Sequence, residues 1–175
     1  MSTTGVSSAR PLSPLGWLGL PALLSVALTV VLATPVRIFG LALPNPVFPL
    51  ALAFAWAVIR PSVLPPFALL ALGLFLDVFW GGPQGLWPLC LLAAYAAVLI
   101  VRRLLTGQDF LMMAAWYALT TAIAFGVGFA LMTMDAGGGA PNLVALGWQY
   151  AWTVVLFPFA FRLIDRYEDA DVRFR

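Results

Sequence analysis

Residues 110–134 read FLMMAAWYALTTAIAFGVGFALMTM, 25 positions without a formal charge between Asp109 and Asp135. Holding no proline and only two glycines, the stretch predicts one helix. At ~1.5 Å per residue it would be roughly 37 Å long, more than the ~30 Å hydrocarbon core of a bilayer. Similar charge-free runs lie on both sides of it. Residues 136–161 make 26 positions, 78–101 make 24, 61–76 make 16, 38–59 make 22 and 11–36 make 26. Backbone N–H and C=O groups in hydrocarbon find no water and must pair within the chain, so apolar runs of this length predict helices. The expected fold is an all-α integral membrane protein, a single bundle of six transmembrane helices.

Composition agrees. The 175 residues are 63% hydrophobic and only 9% charged, with a mean hydropathy of +1.00, against about 25% charged in ordinary soluble domains. A net charge of +2 from dispersed arginines gives no basic patch and speaks against a nucleic-acid partner. The single cysteine, Cys90, lies within an apolar run and reads as a packing residue. Abundant Ala, Gly, Pro and Arg with no lysine suggest a GC-rich bacterial genome.

Breakers place the ends. The first helix is expected from Leu15 to Thr34; its run is longer than a signal-peptide core of ~7 to 15 residues, so an uncleaved span is expected. The second starts after Pro44-Asn45-Pro46 and ends at Ile59, and the third starts at Pro65-Pro66 or just before and runs to Trp80. Gly81-Gly82-Pro83-Gln84-Gly85 reads as a tight turn, because adjacent glycines and proline interrupt helices. Helix four is expected over Leu86–Val101, helix five over Phe110–Met134, and helix six from Leu143 to Phe161 or beyond, after a Gly137–Pro141 outer loop. In domains, this is a disordered cytoplasmic tail over 1–14, a six-helix transmembrane domain over 15–162 and a cytoplasmic helical extension over 163–175.

Eight of nine arginines (10, 60, 102, 103, 162, 166, 173 and 175) fall on one side of such a bundle, and only Arg37 on the other. Positive charge stays on the cytoplasmic side, so both termini are expected in the cytoplasm, with Arg37, Asp77 and Asp135 outside. Trp17, Trp56, Trp80, Trp87, Trp116 and Trp148 lie near span ends, where an interfacial belt would put them.

The chain lacks histidine, which removes the commonest acid–base group and any Ser-His-Asp or Cys-His arrangement. No Cys/His cluster for zinc and no glycine-rich phosphate loop are present in the sequence. Catalytic, cofactor and metal residues are therefore assigned to none, and the chain is expected not to be an enzyme. Asp77 is the one charge that interrupts a span. An ionisable residue there usually faces the bundle interior and finds a partner. Arg37 and the backbone N–H groups of the following turn are the candidates; a hydrated interfacial position is the alternative. Arg102-Arg103 reads first as a topology signal and second as a contact for a partner or for membrane lipid. Ala114, Ala118, Ala122, Gly126 and Ala130 recur every fourth residue, a stripe expected to let another backbone approach closely.

The middle of the chain resembles a known family. Pro44 to Arg60 (PNPVFPLALAFAWAVIR), Leu72-Gly73-Leu74-Phe75-Leu76-Asp77, Gly81-Gly82-Pro83-Gln84-Gly85-Leu86, and Leu92-Ala93-Ala94-Tyr95 before Arg102-Arg103 follow one another as in MreD, the rod shape-determining membrane proteins. The likeness covers Pro44 to Arg103. It implies a non-catalytic subunit of the bacterial inner membrane in the cell-elongation, lateral peptidoglycan-synthesis machinery. Its partners would be an MreC-like single-span protein and, through that protein, MreB, a RodA-type glycosyltransferase and a penicillin-binding transpeptidase. It also gives weight to Asp77, Gly81, Gly82, Pro83, Gly85, Arg102 and Arg103 as structural or partner contacts, to which Arg37, as the one outer cation, and Gly126, from the small-residue stripe, are added on their own grounds. A six-span bundle is shared with substrate-binding subunits of vitamin-type transporters, which supplies the second expectation. A transport pocket would have to be built from Asp77, Gln84, Asp135, Asn142, Gln149 and Tyr150 in the outer half.

Overall fold

In a computed structural model of the chain, residues 15–32, 37–38, 41–42, 45–105, 107–134 and 142–172 are described, with side chains for 16–32, 45–105, 107–134 and 142–166. The expected N-terminal tail, the Gly137–Pro141 loop and Asp135 lie outside the described residues. A π-helical turn, Leu15–Gly19, leads into α1 (Leu20–Leu32). A two-residue antiparallel ladder follows, β1 (Arg37–Ile38) against β2 (Leu41–Ala42), with Arg37 opposite Ala42. Then come α2 (Phe48–Ile59), α3 (Leu64–Trp80), α4 (Leu86–Leu105), α5 (Phe110–Met134), α6 (Leu143–Val155) and α7 (Phe157–Val172).

Prolines set most of these starts. Pro49 and Pro65 occupy the first turns of α2 and α3, where a missing N–H costs nothing. Arg60, extended before Pro61, ends α2, because the residue before proline is pushed out of the helical region. The expected sixth helix is broken instead of continuous. Pro158 has no N–H to give the carbonyl four residues back, and the rod is interrupted at Leu156 between α6 and α7.

Packing is organised around α2. All ten residues from Phe48 to Ala57 are buried, as expected of a helix that is apolar on every side. Helices α1, α3, α4 and α7 wrap it, with α5 and α6 completing the shell. The interior is Leu- and Ala-rich, with aromatic packing where Phe54 meets Tyr117 and Phe157, ring centroids 5.4 and 6.5 Å away.

Much of the outside is apolar too. Val78, Ile100, Leu111 and Met134 are each about four-fifths exposed. A water-facing surface does not carry apolar residues on this scale. Three helical stretches are long and apolar enough to cross a membrane: Leu86–Leu105, Phe110–Met134 and Leu143–Arg166. The other three, Gly16–Leu32, Phe48–Ile59 and Leu64–Trp80, are shorter. At about 1.5 Å per residue, the 12-residue α2 is roughly 18 Å long, short of the ~30 Å of a bilayer core. The tryptophan belt needs correction for two members. Trp17 and Trp56 are 5% and 0% exposed, filling the core, whereas Trp148 is exposed.

Candidate functional site

Asp77 sits in the last turn of α3, buried to 2% exposure. That burial excludes the hydrated interfacial position. Its carbonyl accepts the N–H groups of Gly81 and Gly82, which closes α3. Its carboxylate accepts the N–H of Gly85 at 2.6 Å on Oδ2 and that of Trp87 at 2.9 Å on Oδ1. One residue thus ends one helix and caps the next.

The first turn of α4 can be accounted for donor by donor. A helix start leaves its early N–H groups without intrahelical partners. Gly85 and Trp87 give theirs to Asp77, Leu86 gives its own to the Pro83 carbonyl at 3.2 Å, and Pro88 has none. Leu89 then begins the regular ladder by donating to Gly85. The positive end of the α4 dipole meets the carboxylate, a favourable arrangement. Gly81 and Gly85 hold φ of +66° and +93°, which side-chain-bearing residues rarely adopt. Trp80 and Trp87 clasp the turn edge-to-face, 4.9 Å between centroids.

One turn before Asp77 on the same buried face, Gly73 touches Pro88: a Cβ on Gly73 would lie 2.4 Å from the Pro88 nitrogen. The α3–α4 hairpin is therefore held at two levels, backbone against ring at Gly73 and hydrogen bonds at Asp77.

The remaining candidates are scattered. Of the two proposed partners for Asp77, the structure supplies the backbone of the following turn; the Arg37 side chain is outside the described residues. Arg102, half-buried near the end of α4, donates from Nε to the Val58 carbonyl at 3.2 Å. A cation at the C-terminal end of α2 suits the negative end of that dipole. Arg103 is exposed. For Gly126, expected to meet another backbone within the bundle or on a partner, no internal contact is found among the described residues. Ala122, Gly126 and Ala130 face outward, and a Cβ on Gly126 would meet nothing within 4 Å. The close approach on α5 is at Gly128, whose Cβ position is 3.1 Å from the Cys90 sulfur. The buried face of α5 is Met113, Tyr117, Thr120, Thr121, Ala124 and Phe125 instead.

A second polar cluster joins α6 to α2 and α5. The Thr153 hydroxyl accepts the Val47 N–H at 3.2 Å, just ahead of α2, and donates to the Gln149 carbonyl. Tyr117 donates to the Thr153 carbonyl at 3.0 Å, Tyr150 to the Ala118 carbonyl and Gln149 to the Asn45 carbonyl, both at 3.2 Å. Thr153 went unnoticed in the sequence, although its spacing from Gln149 puts both on one helix face. Among the described residues, no three His, Cys, Asp or Glu side chains gather to hold a metal ion. No family model matches the chain, and neither does any curated protein or solved structure.

Proposed function

We propose that this chain is a non-catalytic scaffold subunit of a bacterial inner membrane, an MreD-like part of the cell-elongation machinery. It would cross the membrane six times with both termini in the cytoplasm and meet an MreC-like single-span partner through its helix faces. The observation that carries this reading over a transport subunit is how four of the six outer polar groups are used. Asp77, Gln149 and Tyr150 each hydrogen-bond to the backbone of another segment of the chain. Asn142 caps α6, accepting from Val144 and Ala145. Polar groups engaged with the chain's own backbone fit a docking body better than a solute pocket, which needs convergent groups free to meet a ligand.

The test is depletion in a rod-shaped host that carries the gene, together with affinity purification of the protein in detergent. Rounded or widened cells and recovery of a single-span periplasmic coiled-coil partner are expected. Normal shape with loss of uptake of one nutrient would replace this reading with the transport one.

A further inference from the structure

The attachments of α6 and α7 differ sharply, although the two helices are nearly one rod. Below the break, α7 is anchored by Phe157, Ala160 and Ile164, each under 5% exposed. Phe157 also packs against Phe54, Phe110 and Tyr117, with centroids 5.0–6.5 Å apart. Above the break, α6 buries Thr153 alone among its 13 residues. Its side-chain hydrogen bonds to other helices come from Gln149, Tyr150 and Thr153, spaced to share one face. The joint between the two lacks a regular ladder, although Phe159 and Ala160 donate to the Leu156 carbonyl. Pro158 supplies no N–H, and the Leu156 N–H is shared between the Thr153 and Val154 carbonyls. A proline break with firm packing on one side and sparse packing on the other is a place for a helix to bend.

From this we infer that α6 is a hinged arm. It pivots at Leu156–Phe157 on the fixed α7 and is latched by the Thr153-centred hydrogen bonds. When it swings out, it uncovers the Asn45–Val47 segment that leads into α2. In the closed state α6 satisfies the Val47 N–H and the Asn45 carbonyl, so latch and covered segment are the same groups. This inference does not depend on the scaffold role.

Spin-label distance measurements on the full chain in lipid nanodiscs test it. With Cys90→Ala as background, one label pair is Gly147→Cys on α6 with Val78→Cys on α3. The control pair is Asp165→Cys on α7 with the same Val78→Cys; all three labelled positions are exposed. Removing hydrogen bonds with Tyr150→Phe and Thr153→Val should enlarge a second distance population for the α6 pair, by roughly threefold per bond lost. The control pair should not change. Pro158→Ala restores the missing donor without touching the latch and should narrow the α6 distribution. A single unchanged α6 distance in all variants overturns the hinge, as does broadening of both pairs together. Should the double variant fail to fold, Pro158→Ala and Tyr150→Phe alone still decide, through opposite effects on the width.

Discussion

Gly73 and Pro88 meet with no room for a side-chain carbon between them, the nearest Pro88 atom being the nitrogen at 2.4 Å from where a Cβ would stand. The obstructing atoms include main chain, so they cannot rotate away. Gly73→Ala is therefore expected to push α3 and α4 apart and to destabilise by about 1 to 3 kcal/mol, the usual cost of overpacking. A lower midpoint of thermal unfolding in detergent, with the helix content of the folded state unchanged, is the readout.

On α5 the reverse holds. A Cβ at Gly126 would enter open space, so Gly126→Leu should leave detergent stability unchanged within roughly 0.5 kcal/mol, as surface changes usually do. Gly128→Leu, which drives a side chain into Cys90, should lower it clearly. If Gly126→Leu spared stability but abolished recovery of the single-span partner, the outward stripe would be the docking face.

Arg102 joins α4 to the end of α2 through Val58. Arg102→Lys keeps the positive charge on which the proposed topology rests but loses the Nε donor and its fixed geometry. Unchanged orientation with a stability loss of about 1 kcal/mol is expected, read from reporter fusions after Gly107 and from thermal unfolding of the same variant.

Much of the helix pattern was legible because charge and proline mark its ends in the sequence itself. Asp109 and Asp135 bracket α5, and Pro49, Arg60-Pro61 and Pro65 bracket α2 and α3. The same rule was available at Pro158 and predicts the α6–α7 break, yet the apolar run hides it. What could not be read was direction. A repeat of small residues shows that a face exists without showing what covers it, so the Gly126 stripe could be read as a packing face but not as inward or outward, and the core took Tyr117 and Phe125. Gly73 lay within the segment that resembles MreD, but its meaning depends on Pro88 fifteen positions on, a tertiary contact. Asp77 was legible as a partnered charge. Its partners are main-chain donors, which every sequence has at every residue but proline, so composition could not choose between them and Arg37.

Charge reversal separates those two partners. An ion pair with Arg37 would let Arg37→Asp recover part of the damage of Asp77→Arg, but arginine has only donors and cannot accept from Gly85 and Trp87. Rescue is therefore not expected, and recovery of stability in the double variant would assign Asp77 to Arg37. Asp77→Ala leaves two part-buried N–H groups without this acceptor, costing at most about 1 to 3 kcal/mol each, the penalty of a fully buried donor. Asp77→Asn retains one acceptor oxygen and turns an NH2 toward the other donor, so it should lie between Ala and wild type. Thermal unfolding in detergent should rank the variants as wild type, then Asn, then Ala. Amide hydrogen exchange at Gly85 and Trp87 should speed up in the same order, tying the loss to this turn and not to the bundle at large. Asp77→Asn with wild-type stability and wild-type exchange would mean that the carboxylate does not hold the two helices together.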